Sequence, residues 1–238
     1  MLTRWIPENV RREVRKRSGF GCVHCGVALL EYAHFDPVFA KATEHRAEGI
    51  TVLCPTCHSK VDKGIISQSS LLKDVAEPHA LQVGYSRDKL EVGNSPTVVL
   101  CDSTIIGSPV IIEVSGRTLL GVSQPELSGA PFGLSASFYD KVGNPIAEIV
   151  ANEWQPSVGN WDVKSVGTRI TVRYAPGDIA LAFRTESPST IVIERIDMYY
   201  KGFHLVGQEG KSLKAYNDVC AYEWKNTKFY GNAKAIVF

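Results

Sequence analysis

The sequence contains no long hydrophobic run, and this absence limits the classes of protein to which the chain can belong. No apolar stretch approaches the roughly 18 residues that a membrane-spanning helix requires. The N-terminal segment, MLTRWIPENVRREVRKR, has no apolar core of the kind found in a secretory signal peptide. We therefore expect a cytoplasmic protein that makes no contact with a membrane.

A strong net charge is also missing. The 26 Lys and Arg residues against 25 Asp and Glu residues give a formal net charge of +1, which excludes a chain that binds nucleic acid through its overall charge. The distribution is uneven, because residues 1–74 carry 11 basic and 8 acidic residues, and about half of those basic residues lie in the first 20 positions. Attraction to DNA phosphates is therefore expected only from the N-terminal segment.

The six cysteines are too few and too unevenly spaced for the dense disulfide framework of a small secreted domain. Four of them form two CxxC pairs, Cys22/Cys25 and Cys54/Cys57. The spacing within each pair allows both thiolates to face one ion, and four thiolates make a closed tetrahedral zinc site. We predict structural Zn²⁺. Redox use of a CxxC pair is a weaker alternative, because that motif normally lies within a βαβ unit.

The chain divides into two regions that differ in their residue patterns. Residues 1–75 contain the cysteine pairs and a helical pattern, whereas residues 96–238 contain short β-branched runs broken by Gly, Pro and Asn. Residues 76–95 are predicted to link them. The expected fold class is α+β, with an all-β sandwich or barrel as the second domain and a β-solenoid as the alternative. The predicted strands are 97–101, 110–114, 134–139, 146–150, 169–174, 179–184, 190–196, 219–224 and 233–238.

The N-terminus predicts a basic helix that ends at Ser18. Pro7 suits its first turn, and Val10 and Val14 lie four residues apart on one apolar face. The other side is basic, and it either faces solvent or binds DNA phosphates. The candidate nucleic-acid-binding residues on this side are Arg11, Arg12, Arg15 and Lys16.

Two histidines lie next to the cysteine frame. His34 follows a plausible strand, and His58 directly follows Cys57. His58 and Asp62 share one face if this segment is helical, and a histidine with a carboxylate can coordinate a divalent cation. An isolated histidine is more often an ordinary surface or core residue. Two of them beside a four-cysteine frame indicate a second metal site that deprotonates water.

Three segments resemble the HNH endonuclease family. They are residues 19–26 (GFGCVHCG), 32–37 (YAHFDP) and 49–58 (GITVLCPTCH), and the resemblance covers about residues 4–67. It implies a ββα-metal fold that cleaves DNA and leaves 5′-phosphate and 3′-hydroxyl ends.

The resemblance also implies roles for individual residues. His34 matches the general base that activates water, and His58 matches a ligand of the catalytic Mg²⁺ or Mn²⁺. Asp36 and Asp62 are further candidate ligands of that cation. The middle asparagine of the family motif, which positions the loop that carries the base, is replaced here by Gly49.

The predicted function is therefore a metal-dependent DNA endonuclease. Its β domain would recognise a target or a partner protein, or form a homodimer. The alternative is a non-catalytic zinc module that binds nucleic acid or a partner protein. His34 and His58 favour the enzyme, whereas Gly49, and Ala33 in place of an acidic ligand, favour the alternative. His45 is either an ordinary loop residue or one more ligand of the cation.

Overall fold

The computed structural model describes residues 2–125, 127 and 130–238. They form a mixed α+β fold that consists mostly of β-strands. The chain divides into two compact units, the first made of the residues through Asp88 together with Pro156–Ser165, and the second made of Lys89–Gln155 and Val166–Phe238. Residues 76–88 of the predicted linker thus belong to the first unit, and so does a short segment from the predicted β domain. Within the described residues, no helix is long and apolar enough to cross a membrane.

The first unit contains the described helices. The predicted N-terminal helix is confirmed, with Pro7 preceding its first residue and Ser18 following its last. The strands β1 and β2 pair antiparallel, with His34 opposite Ile50, and α2 follows β2 directly. The elements are α1 (Glu8–Arg17), β1 (Glu31–His34), β2 (Ile50–Leu53), α2 (Pro55–Asp62), α3 (Gln68–Ala76) and α4 (His79–Val83), with 3-10 turns at Phe39–Lys41 and Ala47–Gly49.

Two apolar clusters hold the β1–β2 hairpin in place. On one side, Val14 of α1 packs with Ile50 and Val52 of β2. On the other side, Ala33 and Leu53 pack with the buried cysteines. Because the hairpin contributes to both clusters, the position of its ends relative to the cysteines is fixed. His34 lies at one of these ends.

The second unit is built from β-strands. All nine predicted strands are present within a few residues, and β3, β10 and β11 each cross a boundary between the units. The strands are β3 (Asp88–Lys89), β4 (Thr97–Leu100), β5 (Ser103–Ile106), β6 (Val110–Val114), β7 (Arg117–Ser123), β8 (Gly133–Tyr139), β9 (Pro145–Val150), β10 (Glu153–Pro156), β11 (Asp162–Val166), β12 (Arg169–Ala175), β13 (Asp178–Glu186), β14 (Thr190–Tyr200), β15 (Phe203–Gln208), β16 (Leu213–Tyr216), β17 (Ala221–Trp224), β18 (Lys228–Tyr230) and β19 (Lys234–Val237).

Two sheets make up this second unit. One has the order β19-β6-β7-β8-β9-β10, and in the other β12 to β17 pair in sequence order. The fully buried Trp154 of β10 contacts Phe138 of β8, with ring centroids 6.4 Å apart, and Phe183 of β13, with centroids 5.0 Å apart. Side chains of the two sheets therefore share one apolar core.

Candidate metal centre and the histidines beside it

The four cysteines of the CxxC pairs converge on one point. Their sulfur atoms all lie within 4.8 Å of one another. Cys25 Sγ is 3.7 Å from Cys54 Sγ and 3.7 Å from Cys57 Sγ. Four sulfurs bound to one zinc ion at about 2.3 Å are about 3.8 Å apart in a tetrahedron, whereas a disulfide brings two sulfurs to about 2 Å. All of the cysteines are free thiols, so the cluster fits a zinc ion.

Backbone hydrogen bonds turn each cysteine pair towards that point. In the first pair, the N–H of Gly26 donates to the carbonyl of Cys22 at 2.8 Å. Gly26 has φ of +77°, a conformation that glycine adopts without strain. In the second pair, Cys54 caps the N-terminus of α2, and its Sγ accepts a hydrogen bond from the N–H of Cys57 at 3.4 Å. The local sequence therefore pre-forms both halves of the cluster.

Close packing of the sulfurs also separates the pKa values of the thiols. Hydrogen bonding to the Cys22 thiol is the main reason that the pKa of Cys25 is lowered to about 4, and the same bond raises the pKa of Cys22. Burial and the neighbouring sulfurs raise the pKa of Cys57 to about 12. The thiolate forms of Cys22 and Cys57 are therefore disfavoured in the absence of a cation. This is the electrostatic situation that a bound Zn²⁺ resolves.

His34 is the last residue of β1, and its ring is held on two sides. Its Nε2 lies 3.1 Å from Nδ1 of His45, and the Phe39 ring packs edge-on with the centroids 5.2 Å apart. Burial lowers the pKa of His34, and the neighbouring His45 lowers it further. A lowered pKa leaves the ring neutral near pH 7, which is the form that accepts a proton.

His58 is half-buried on α2. Its Nδ1 lies 2.7 Å from Oε2 of Glu31 on β1. Because Glu31 is opposite Leu53 in the hairpin register, its side chain lies beside the start of α2. A carboxylate behind one ring nitrogen is the usual arrangement for a metal-ligating histidine, since it directs the lone pair of the other nitrogen at the metal. Sequence reasoning missed Glu31, although its position in the strand before His34 was a usable signal.

The predicted carboxylate ligands are not gathered around His58. Asp36 and Asp62 are both exposed. In the part of the chain that the structure describes, the four cysteines are the only group of three or more Cys, His, Asp or Glu residues whose ligand atoms lie close together. Mg²⁺ is often held by one or two carboxylates together with the phosphates of the substrate. A catalytic cation therefore stays a prediction.

The backbone of Gly49 holds the loop that follows His34. Its carbonyl accepts hydrogen bonds from the N–H groups of Phe35, at 3.0 Å, and Asp36, at 3.4 Å. A Cβ atom at Gly49 would overlap the carbonyl oxygen of Asp36. The position thus has no room for a side chain. The backbone carbonyl of Gly49 itself anchors the loop that follows His34.

Arg15 does not lie on a DNA-facing surface. Only 4% of the residue is exposed, and its guanidinium donates to both carboxylate oxygens of Asp162 and to the hydroxyl of Tyr32 at 2.7 Å. A buried and paired guanidinium cannot reach a phosphate, so the prediction that Arg15 binds nucleic acid is wrong. The pairing of Arg15 with Asp162 could not be predicted from the sequence, because the two residues are 147 positions apart.

The other three basic candidates also make internal contacts. Lys16 Nζ donates to the carbonyl of Asn160 at 3.0 Å, and Arg12 stacks on Trp161 with Cζ 4.4 Å from the ring centroid. Arg11 lies over the ring of Tyr32 on β1, with Cζ 5.5 Å from the ring centroid. These three residues are not fully buried. They remain candidates for contact with phosphates.

In comparisons with protein-family models, curated proteins and solved structures, the chain matches none of them.

Proposed function

We propose that the first unit is a zinc-stabilised endonuclease that cleaves DNA phosphodiester bonds with a divalent cation. The placement of His34 and His58 supports this proposal most strongly. Each ring has one nitrogen engaged by a neighbouring side chain, His45 or Glu31, and within the described residues its other nitrogen has no hydrogen-bond partner. Two oriented imidazoles with available lone pairs are the chemistry that a general base and a metal ligand require.

In the proposed reaction, His34 takes the proton from the attacking water. Its lowered pKa keeps the imidazole neutral and ready to accept that proton. The water oxygen forms a bond to phosphorus as the bond between phosphorus and the 3′ oxygen breaks, and the 3′ oxygen gains a proton from solvent. The products carry 5′-phosphate and 3′-hydroxyl ends. General-base catalysis of this kind contributes on the order of 10²–10⁴ in rate.

His58 would hold the catalytic Mg²⁺ or Mn²⁺, with Asp36 or Asp62 as a further ligand. When bound, the cation would neutralise charge on the scissile phosphate and on the leaving oxygen. The zinc ion has a different task, because a site with four cysteine ligands is closed to substrate. Its task is to hold the two CxxC pairs, and with them β1 and α2, in place.

DNA would reach the site along the exposed part of α1, where Arg11, Arg12 and Lys16 supply phosphate contacts without sequence preference. The second unit would recognise the target or a partner protein, or bring two copies together. On β17 of this unit, Tyr222 and Trp224 stack with ring centroids 6.0 Å apart, and 42% of Tyr222 is exposed. Exposed aromatic rings of this kind can stack on bases.

The second candidate function is a zinc module that binds nucleic acid or a partner protein without cleaving it. The exposed and separated positions of Asp36 and Asp62 favour it, because among the described residues they form no ready cluster with His58.

A plasmid-nicking assay with added Mg²⁺ or Mn²⁺ separates the two candidates. We expect the wild-type chain to cleave, and His34→Ala and His58→Ala to lose at least 10²-fold in rate while keeping zinc and fold. His24→Ala is the matched control. His24 also pairs with a carboxylate, Asp74, at 2.8 Å, but that contact involves neither His34 nor His58. If the wild type shows no divalent-dependent cleavage of duplex or single-stranded DNA, the binding module is the correct candidate.

A further inference from the structure

A chain of hydrogen bonds leads from His34 through His45 to the protein backbone. Nε2 of His34 lies 3.1 Å from Nδ1 of His45, and Nε2 of His45 lies 3.0 Å from the carbonyl oxygen of Thr3. Both ring nitrogens of His45 are thus engaged. His45 is therefore not available as a ligand of the catalytic cation.

The direction of these hydrogen bonds follows from their last member. A backbone carbonyl only accepts, so Nε2 of His45 carries the proton. In a neutral ring the other nitrogen, Nδ1, is then an acceptor. It accepts from Nε2 of His34, which must carry a proton. The remaining nitrogen of His34, Nδ1, is consequently the one with a lone pair.

We propose that His45 is a positioning residue that fixes His34 in the Nε2-protonated tautomer, so that Nδ1 is the nitrogen that takes the proton from water. The catalytic part of this inference rests on the proposed endonuclease function. The tautomer itself does not, because it is a property of the resting protein.

The N-terminal segment, which carries the Thr3 carbonyl at the end of this series of hydrogen bonds, packs against the residues around His34. Ile6 is buried against the hairpin, in the same cluster as Val14 and Ile50. Arg4 places its guanidinium 5.3 Å from the centroid of Phe39, whose ring edge packs on His34. The Thr3 carbonyl that contacts His45 therefore lies three residues before the buried Ile6, on a segment that also contacts Phe39.

The first test is the tautomer, and it needs no substrate. In ¹⁵N-histidine-labelled protein, multiple-bond ¹H–¹⁵N correlations distinguish a protonated Nδ1 from a protonated Nε2. We expect His34 of the wild type to be protonated at Nε2, and His45→Ala to give a mixture of tautomers. His45→Gln should restore the Nε2–H form, because the amide oxygen can accept from His34 while the amide nitrogen donates to Thr3. A wild-type His34 protonated at Nδ1, or a tautomer unchanged in His45→Ala, overturns the inference.

The second test is cleavage by the same variants, each checked for unchanged zinc content. We expect His45→Ala and His45→Leu to lower kcat on the order of tenfold or more, the scale observed for partners that orient functional histidines. KM should change little, and His45→Gln should recover most of the rate. An active wild type whose kcat is unchanged in His45→Ala also overturns the inference. A wild type with the expected tautomer but no cleavage overturns the endonuclease proposal instead and leaves the positioning of His34 standing.

Discussion

Arg15 on α1 and Asp162 form a two-pronged ion pair, with 3.1 Å between Nε and Oδ1 and 3.0 Å between Nη2 and Oδ2. Each side chain is only 5% exposed. The pair fastens Pro156–Ser165 to the N-terminal helix, and Trp161 of the same segment stacks on Arg12. A surface that the sequence presents as a basic DNA-binding face is therefore partly an internal surface of the first unit.

Breaking this pair should destabilise the first unit. We expect Arg15→Met to cost about 3–5 kcal/mol, because it removes one member of a buried ion pair. Hydrogen exchange of the α1 amides during chemical denaturation reports on this unit separately from the second. Lys16→Met is the control on the same helix and should cost less than about 1 kcal/mol, since Lys16 is exposed. The double variant Arg15→Met/Asp162→Leu should regain most of the loss. Equal losses for Arg15→Met and the control would contradict this account.

The cysteine cluster predicts one zinc ion per chain, measurable by elemental analysis of purified protein. Cys54→Ser should remove the zinc and unfold the first unit, because structural zinc contributes about 10–16 kcal/mol of binding free energy to folding. Cys220→Ser is the matched control. Cys220 lies in the second unit, outside the cluster, so its replacement should change neither zinc content nor fold. A folded wild-type protein without zinc would refute the prediction.

His34 should titrate below the value of 6.5 typical of a free histidine, since burial and His45 both lower its pKa. NMR titration measures this directly. In His45→Ala the pKa should rise but stay below 6.5, because burial is the larger cause. In the wild type, His34 of the unfolded chain therefore binds its proton at a higher pH than His34 of the folded chain. The contribution of His34 to stability is therefore complete above pH 6.5 and is lost as the pH falls towards the lowered pKa. A pKa at or above 6.5 in the wild type contradicts the prediction.

Gly49→Ala should weaken the loop after His34, because the added Cβ meets the carbonyl of Asp36. If the proposed function holds, cleavage should fall, as the loop no longer positions His34. Gly159→Ala serves as the control in the same unit, where the new Cβ makes only an ordinary contact with Ser157 at 3.4 Å. Comparing zinc content, thermal stability and plasmid nicking of the two variants tests this. Equal behaviour of both variants would mean that the Gly49 position tolerates a side chain.

The elements that sequence reasoning predicted correctly are those whose signal is local. The spacing of Cys22/Cys25 and Cys54/Cys57 determines which atoms can face one ion, and the valines of α1 mark its buried side. Strands with clear alternation were also found. Strands that were missed are short or contain glycine, such as β16, with only four residues, and β15, which includes Gly207. Glycine weakens the pattern that identifies a strand.

Contacts between distant segments could not be predicted from the same signals. Nothing near Arg15 indicates that Asp162 will cover it, and nothing near His34 indicates that His45 and Thr3 will hold its ring. Pairing of this kind is a property of the folded chain, because each partner is chosen by where the hairpin and α1 place it. The proposed base and metal ligand could be named from the sequence, whereas the contacts that orient them, from His45 to His34 and from Glu31 to His58, could not.

The return of Pro156–Ser165 to the first unit also has a consequence for folding during synthesis. Cys57, the last of the four clustered cysteines, leaves the ribosome about 100 residues before Asp162 does. At about 5–20 residues per second, that gap lasts roughly 5–20 s. During this interval the two CxxC pairs can already take up zinc, while the guanidinium of Arg15 still lacks its contacts with Asp162. A nascent chain of this protein thus passes through a state in which the four cysteines can already hold their metal. In that state Asp162 does not yet offset the positive charge of α1, which would attract a nucleic acid.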